Sequence, residues 1–203
     1  MELVLIITFS YLCGSIPYGL ILTKLFAKRD IRNIGSGNIG ATNVLRSGNK
    51  ILAILTLALD VIKGFLPVYV TLKYFSDYSQ LSALIVFLGH VFPVWLKFKG
   101  GKGVATYLGI LFAMSLSLAF LFIFTWVIVL MIFKYSSLSS IFSTFSVMII
   151  NFLKFNTIQI LKPTTEVNAD INLLLFILLI LIIFTHKKNI LNLKNKSENK
   201  IKI

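Results

Sequence analysis

Long apolar runs constrain this chain more than any other feature of its sequence. A membrane-spanning helix needs about 20 mostly apolar residues. Five runs approach that length, at residues 3–25, 51–74, 80–97, 138–155 and 171–186. Hydrophobic residues make up 57% of the sequence and charged residues only 13%, whereas about a quarter of a soluble domain is charged. One soluble core could not bury that much apolar surface, so the sequence predicts an all-α integral membrane protein.

A sixth apolar stretch, residues 103–134, is too long for one ordinary span. It carries no charge before Lys134. As a single helix it would be about 48 Å long at 1.5 Å per residue, whereas the hydrocarbon core is about 30 Å thick. Two short helices that turn near Ser115–Ser117 fit better and bring the total to seven spans. One tilted span is the alternative.

Basic residues lie almost entirely on one side of this seven-span arrangement. With the amino terminus outside, the inside segments are residues 24–50, 97–102, 134–137 and 187–203. They hold 16 of the 20 Lys and Arg residues, and only Lys73, Lys154 and Lys162 lie outside. The positive-inside rule therefore predicts an outside amino terminus and a cytoplasmic carboxyl terminus. The net charge of +13 then reflects cytoplasmic loops rather than nucleic-acid binding.

The two ends of the chain and its single cysteine set further limits. The first run lacks the basic start and the small-residue cleavage site of a signal peptide, so we expect it to be retained. The Lys- and Asn-rich tail, residues 187–203, is typical of a solvated anchor near anionic headgroups. Cys13 alone cannot form a disulfide framework or a cysteine metal cluster. We expect a single membrane domain over residues 1–203.

A glycine-rich segment between the first two spans, residues 35–46, suits an anion. Its glycines allow sharp turns and bring backbone N–H groups close to a ligand. Its polar side chains are Ser36, Asn38, Thr42, Asn43 and Arg46. Short polar groups and a bidentate guanidinium suit a phosphate or another oxyanion. A flexible polar loop is the alternative.

A second basic segment, residues 97–106, alternates glycine with lysine and leads into an apolar helix. Its central residues are Gly100, Gly101, Lys102 and Gly103. The amino terminus of a helix favours anions because its N–H groups are free and carry partial positive charge. The spacing differs from that of a Walker loop. A basic turn that anchors two spans is the alternative.

Three further features have structural interpretations as well as functional ones. His186 and Asn189 are three residues apart and share a helical face, although a histidine at a membrane boundary is also a common interfacial anchor. Asp60 and Lys63, at i and i+3 in a span, are predicted to pair. His90 is expected to have a packing role. The sequence contains no metal-ligand pattern, serine elbow, Cys/His pair or H-x-x-x-x-D acyltransferase box.

Taken in order, the motifs resemble those of the bacterial acyl-phosphate:glycerol-3-phosphate acyltransferases, the PlsY family, over nearly the whole chain. The matching segments are Gly14–Gly19, Ser36–Arg46, Asp60–Gly64, Gly89–Pro93, Phe98–Thr106, Tyr135–Leu138, His186–Ile190 and Glu198. The tail departs mildly from the family pattern. The family often has Arg after the histidine and Gly before the glutamate, where this chain has Lys187 and Ser197.

The resemblance implies a seven-helix enzyme of the bacterial cytoplasmic (inner) membrane, with its site on the cytoplasmic side. Such an enzyme moves an acyl group from acyl phosphate to the 1-hydroxyl of glycerol 3-phosphate, giving lysophosphatidic acid and phosphate, in the first acylation of phospholipid synthesis. The implied catalytic residues are Ser36, Thr42, Arg46, Lys102, His186 and Asn189. The implied substrate-binding residues are Asn38, Asn43, Gly100, Gly101, Gly103, Ser137 and Glu198. The expected partners are these substrates and membrane lipid. No metal, other cofactor, nucleic acid or obligate protein partner is expected.

The sequence leaves the proton acceptor open. A phosphate dianion has a second pKa near 6, so the substrate's own phosphate is one choice, and His186 and Glu198 are the others. Two rival classes are an anion transporter and a structural membrane subunit. A transporter needs polar residues along its spans, and these spans hold few such residues apart from Asp60, Lys63 and His90. A structural subunit leaves the dense polar motifs unexplained.

Overall fold

The computed structural model describes residues 1–161 and 170–201. Within these ranges the chain forms ten α-helices: α1 Glu2–Ser15, α2 Tyr18–Ala27, α3 Ala41–Arg46, α4 Lys50–Tyr74, α5 Ser79–Val91, α6 Val104–Met114, α7 Leu116–Phe133, α8 Ser136–Leu161, α9 Asp170–Thr185 and α10 Lys187–Lys194. Short 3-10 turns occur at Ile31–Asn33, Ser76–Tyr78 and Val94–Leu96. Lys162, Glu166 and Lys202, which enter the charge distribution across the membrane, lie outside the described residues.

Five helical segments in the described ranges are long and apolar enough to cross a membrane. They are Glu2–Ala27, Lys50–Tyr74, Ser76–Leu96, Leu116–Phe133 and Ser136–Thr157. A sixth is counted if α9 and α10, bent by 59°, form one broken span, whereas α6 is a shorter apolar helix. Large side chains on these helices face outward, with Ile51 71%, Phe124 67% and Met131 68% exposed. The all-α membrane class is confirmed, and the seventh span stays a prediction.

The apolar stretch 103–134 is broken where its length predicted a turn. Helix α6 ends at Met114 and α7 begins at Leu116. Ser115 between them has extended backbone angles and accepts a hydrogen bond from the Leu118 N–H through Oγ at 3.5 Å. A serine in this position is a favoured helix cap because it satisfies a free N–H group of the first turn. The prediction of two helices is therefore confirmed.

The first apolar run is a broken helix rather than the continuous one that residues 3–25 predicted. Helix α1 stops at Ser15, and Ile16 is extended, with φ −65° and ψ 117°. Pro17 explains the break, because proline has no N–H to donate and disfavours helical angles in the residue before it. The break leaves the carbonyl group of Ile16 outside the regular helix.

The chain divides into two compact units, residues 1–114 and 115–203. In the first unit, α4 packs against α1, α2, α3, α5 and α6. Glycine permits the closest approaches. A Cβ on Gly14 would overlap the Val86 carbonyl of α5, and one on Gly64 would overlap the Thr106 carbonyl of α6. Small residues at helix contacts are common in membranes, where van der Waals packing between helices provides much of the association energy.

The second unit contains α7 to α10. Buried hydroxyl groups line α8, and Ser139, Ser143 and Thr144 each donate a hydrogen bond to the carbonyl four residues earlier. The tail adds a feature that the sequence did not predict. Residues 187–194 form α10, and the Ile201 N–H donates to the Lys134 carbonyl at 2.8 Å. This part of the chain is therefore folded, a feature that the prediction of a solvated anchor did not include.

Candidate active site

The segment between α2 and α3 begins with a charge cluster around Asp30. This carboxylate accepts a hydrogen bond from the backbone N–H of Arg32 at 3.0 Å and pairs with its guanidinium at 2.6 Å. Lys24 Nζ lies 3.8 Å from the same carboxylate. The hydrogen bond from the Arg32 side chain lowers the pKa of Asp30 to about 2. Asp30 is therefore a permanent anion that fixes the start of the loop.

Asn43 organises the glycine-rich segment from inside. Its side chain is buried, and its Oδ1 accepts a hydrogen bond from the Ser36 N–H at 2.9 Å. Its Nδ2 has two hydrogens and lies within hydrogen-bond distance of three carbonyl groups, those of Ile31 at 3.1 Å, Ile34 at 2.9 Å and Asn38 at 2.8 Å, so that one hydrogen is shared between two of them. One amide thus binds four backbone groups of the loop. This geometry suits a residue that shapes the loop.

Two glycines adopt conformations that favour glycine in the same loop. Gly35 and Gly37 have φ values of +57° and +72°, in the left-handed region that other residues rarely occupy. A Cβ on Gly35 would also overlap Asn43 Oδ1. The loop therefore requires glycine at position 35 for two separate reasons.

The remaining predicted residues of this segment are partly exposed. Ser36, Asn38, Thr42 and Arg46 all have intermediate exposure. Asn38 Oδ1 accepts a hydrogen bond from the Gly40 N–H at 2.9 Å, just before α3 begins. Arg46 ends α3, and its Cδ lies 3.7 Å from the place of a Cβ on Gly35. A rigid backbone thus presents hydroxyl, amide and guanidinium groups at a partly accessible surface.

The glycine–lysine loop between α5 and α6 turns back on the end of α5. Lys97 and Phe98 have left-handed backbone angles, with φ 52° and 61°. The Gly100 N–H then donates to the Val91 carbonyl at 3.0 Å, and the next N–H, of Gly101, donates to the carbonyl one residue earlier in α5, at 3.1 Å. Lys102 follows with intermediate exposure.

Gly103 completes this loop immediately before α6 begins at Val104. Its φ is +84°, and a Cβ there would overlap the Phe87 ring. Packing therefore accounts for glycine at position 103. The half-buried Lys102 beside it supplies a positive charge at this end of the loop. Position 102 lies next to the amino terminus of an apolar helix, as the sequence predicted.

In the second unit, Glu198 joins two other predicted residues and Asn192 into one hydrogen-bonded group. Its Oε1 accepts from Asn189 Nδ2 at 2.7 Å and from Ser137 Oγ at 3.0 Å. Its Oε2 accepts from Asn192 Nδ2 at 3.3 Å. Asn189 and Ser137 are 6% and 5% exposed. The sequence predicted three of these four residues. It did not predict Asn192, because one asparagine in an Asn-rich tail carries no distinguishing signal.

The hydrogen bond of the His186 ring determines which tautomer its neutral form adopts. The ring is buried at the start of α10, and Nδ1 lies 2.8 Å from the Ile182 carbonyl oxygen. A carbonyl oxygen only accepts, so Nδ1 carries the proton in this hydrogen bond. The lone pair of the neutral ring is then on Nε2, the nitrogen that would accept a proton.

The predicted site residues therefore fall into two sets. The first unit holds Ser36, Asn38, Thr42, Asn43, Arg46, Gly100, Gly101, Lys102 and Gly103. The second unit holds Ser137, His186, Asn189 and Glu198. Across the part of the chain that the structure describes, no three His, Cys, Asp or Glu side chains group so as to hold a metal ion.

The fold is that of a helical membrane protein, and its two basic, glycine-rich loops are suited to bind anions. The chain belongs to the glycerol-3-phosphate acyltransferase family, whose model matches residues 4–196. A glycerol-3-phosphate acyltransferase of Pelagibacter ubique (strain HTCC1062) is 50% identical over 206 residues, covering 100% of both chains. Another, from the Wolbachia of Brugia malayi (strain TRS), is 45% identical over 203 residues, covering 98% of this chain and 99% of the relative.

Solved structures agree with this assignment. The crystal structure of PlsY (YgiH), an integral membrane glycerol 3-phosphate acyltransferase, in its glycerol 3-phosphate form is 35% identical with a TM-score of 0.90. Its lysophosphatidic acid form is 34% identical with a TM-score of 0.87. Both comparisons cover 100% of this chain and 96% of the other. The predicted family and the prediction of a membrane acyltransferase enzyme are confirmed.

Proposed function

We propose that this protein transfers an acyl group from acyl phosphate to the 1-hydroxyl of glycerol 3-phosphate, giving lysophosphatidic acid and phosphate in the first acylation of phospholipid synthesis. The observation that carries the proposal is the full-length match to a solved acyltransferase in its glycerol 3-phosphate form, with a TM-score of 0.90. The two basic loops support it, because both proposed substrates carry phosphate. Each loop combines turned glycine backbone with a partly exposed cationic side chain, Arg46 in the first and Lys102 in the second.

Acyl phosphate is the proposed donor because the sequence contains no pattern for a covalent nucleophile or a metal site. Phosphate leaves readily from the acyl carbon, so the reaction needs neither a covalent nucleophile nor a metal. The chain also lacks the H-x-x-x-x-D box of other acyltransferases. The enzyme's contribution would be positioning and charge stabilisation.

The proposed reaction is a direct displacement at the acyl carbon. The 1-hydroxyl oxygen forms a bond to that carbon, and the bond from the carbon to the phosphate oxygen breaks. Arg46 and Lys102 would neutralise the two phosphates. The hydroxyl groups of Ser36 and Thr42, with backbone N–H groups of the loops, would stabilise the negative charge that grows on the carbonyl oxygen.

The proton of the attacking hydroxyl would go to the phosphate of glycerol 3-phosphate itself, whose second pKa is near 6. His186 is the alternative, since the neutral tautomer that the Ile182 carbonyl selects has its lone pair on Nε2. Glu198 fits a different role. Its oxygens already accept from Asn189 and Ser137, so it would hold those two side chains in place rather than accept the proton.

We further propose the topology that the charge distribution predicts. Helix α6 would supply a short additional span, giving seven, with the amino terminus outside and the carboxyl terminus inside. Residues 1–203 would act as one membrane domain in the bacterial cytoplasmic membrane, with the site on the cytoplasmic side and in contact with lipid. The reaction as proposed needs no protein partner.

The proposal is tested with purified protein in sealed vesicles. Supplied with palmitoyl phosphate and radiolabelled glycerol 3-phosphate, the wild type should form labelled lysophosphatidic acid, and a matched Arg46→Ala preparation should form far less. The same vesicles, given labelled phosphate alone, test the rival class. Uptake of phosphate without formation of lysophosphatidic acid would show a transporter and overturn the proposal.

A further inference from the structure

A buried polar cluster lies among the helices of the first unit, outside the residues assigned above. Asp60 and Lys63 of α4 form an ion pair at 2.8 Å, with side chains 3% and 2% exposed. Lys63 Nζ also donates to the Ile16 carbonyl at 2.6 Å, the group left outside the helix by the break at Pro17. The ammonium lies 5.6 Å from the centroid of the Tyr18 ring. A buried charged pair is costly unless such extra contacts satisfy it.

His90 lies between this ion pair and the glycine–lysine loop. The residue is 4% exposed, and its Nδ1 is 4.0 Å from Asp60 Oδ1. Its carbonyl oxygen accepts the Gly101 N–H at 3.1 Å. A Cβ on Gly101 would overlap Nε2 of the His90 ring. The ring thus occupies the space that any side chain at position 101 would need.

The path of this loop depends on such contacts. Lys97 and Phe98 adopt left-handed angles, which are unfavourable for residues other than glycine. Hydrogen bonds within the turn, such as that from the Phe98 N–H to the Pro93 carbonyl at 3.0 Å, and the bonds from Gly100 and Gly101 to α5 together hold this backbone. Lys102 comes one residue after Gly101, so a displaced backbone at 101 displaces the charge at 102. A misplacement of about 1 Å near a reacting group costs on the order of 100-fold in rate.

We propose that His90 is a positioning residue for this enzyme. Its ring and its carbonyl group set the path of the Gly100–Gly101 segment and so place Lys102, and the Asp60–Lys63 pair packs against the Nδ1 edge of the ring, with Asp60 Oδ1 4.0 Å away. The inference rests on the proposed function only for what Lys102 does once placed. The effect of His90 on the loop is measured separately, by hydrogen exchange of the loop amides.

The first test is a double-mutant cycle between positions 90 and 101. Gly101→Ala should lower kcat/KM by about 100-fold, because the new Cβ forces the loop away from the ring. His90→Ala should lower it by about tenfold. The combined variant should be at least tenfold more active than Gly101→Ala alone, since removal of the ring makes room for the Cβ. The backbone at Gly101 has no left-handed φ, so alanine is tolerated there once the space exists.

Gly100 provides the matched control. A Cβ on Gly100 would overlap the His90 carbonyl, the Val91 carbonyl and the Pro93 ring, and none of these is removed by truncating the side chain at 90. His90→Ala should therefore fail to rescue Gly100→Ala. Rescue of Gly101→Ala alone supports the proposal. Rescue of neither variant, or of both equally, overturns it.

The second test does not depend on catalysis. The amides of Gly100 and Gly101 are hydrogen-bonded to α5, so their hydrogen exchange reports the order of the loop. In His90→Ala, a peptide covering residues 97–104 should exchange at least tenfold faster than in the wild type, while a peptide from residues 35–46 is unchanged. Unaltered exchange in the first peptide would overturn the positioning role even in a fully active enzyme. Faster exchange in a protein without acyltransferase activity would keep the role and reject the proposed function.

The ion pair is tested in the same way. Removing one charge would leave the other buried and unpaired, which destabilises the protein strongly. Asp60→Asn and Lys63→Met are therefore combined. This variant should retain its helical circular dichroism and show faster exchange over residues 97–104. Wild-type exchange in that folded variant would remove the ion pair from the proposal.

Discussion

Replacing Glu198 by Gln and by Ala separates a positioning role from a role that needs its charge. The carboxylate accepts from Asn189 at 2.7 Å and from Ser137 at 3.0 Å, both through Oε1. A glutamine can present its carbonyl oxygen in the place of Oε1 and keep both hydrogen bonds. Alanine removes both. The two substitutions therefore share the loss of charge and of the hydrogen bond from Asn192 to Oε2, and they differ in the two hydrogen bonds at Oε1 and in side-chain size.

The expected magnitudes follow from these contacts. A hydrogen bond to a charged group contributes about 1 kcal/mol more than a neutral one, so Glu198→Gln should lose about fivefold through the shorter bond to Asn189. Alanine leaves two largely buried donors unsatisfied, at about 2 kcal/mol each. If the whole of this cost is lost from the positioning of the transition state, Glu198→Ala loses about 1,000-fold, or about 200 times more than the glutamine variant.

The assay is kcat/KM for glycerol 3-phosphate at saturating palmitoyl phosphate, with purified variants measured at a temperature well below the thermal unfolding midpoint of each. If Glu198 instead accepted the proton, or bound substrate through its charge, glutamine and alanine would be equally inactive. Activities of the two variants within threefold of each other would refute the positioning role.

Three other predictions concern charge, topology and the proton. Arg46→Ala and Lys102→Ala should each lose about 10- to 150-fold in kcat/KM, because a charge-assisted hydrogen bond contributes about 1.5–3 kcal/mol, and Arg46→Lys should also be impaired; activity within twofold of the wild type would remove that residue from the site. Of two single-cysteine variants, in a background lacking the native cysteine, Ser76→Cys should be labelled from outside and Ser197→Cys should not, and labelling of both would contradict the topology. His186→Gln should keep measurable activity with an inflection near pH 6, which should shift with a glycerol 3-phosphonate analogue; an inflection that ignores the analogue and vanishes in His186→Gln would make the imidazole the base.

Local sequence rules predicted the parts of this fold that local physics determines. The turn at Ser115 followed from comparing an apolar length with the thickness of a bilayer, and the Asp60–Lys63 pair followed from i,i+3 spacing on a helix. Pro17 carried the signal for the break in the first run, but continuous hydrophobicity outweighed it in the prediction. Asp30 also carried a local signal, as an acidic residue two positions before the arginine that it binds.

Other features depend on contacts between distant parts of the chain. The residue types at positions 36–46 predicted an anion loop, but the packing of Asn43 within it depends on the folded path of the backbone. The tail was expected to be solvated because its composition is polar. Its order depends on Glu198 meeting Ser137, which lies 61 positions away. The contact of His90 with Gly101 likewise forms only when the loop folds back on α5.

The central claim is the transfer of an acyl group from acyl phosphate to glycerol 3-phosphate, and phosphorus NMR of a defined mixture tests it most directly. Purified protein in detergent, given palmitoyl phosphate and glycerol 3-phosphate, should convert them to lysophosphatidic acid and inorganic phosphate in a 1:1 ratio, while palmitoyl-CoA in place of the acyl phosphate should give little product. Release of phosphate without lysophosphatidic acid, or equal turnover with palmitoyl-CoA, would contradict the account.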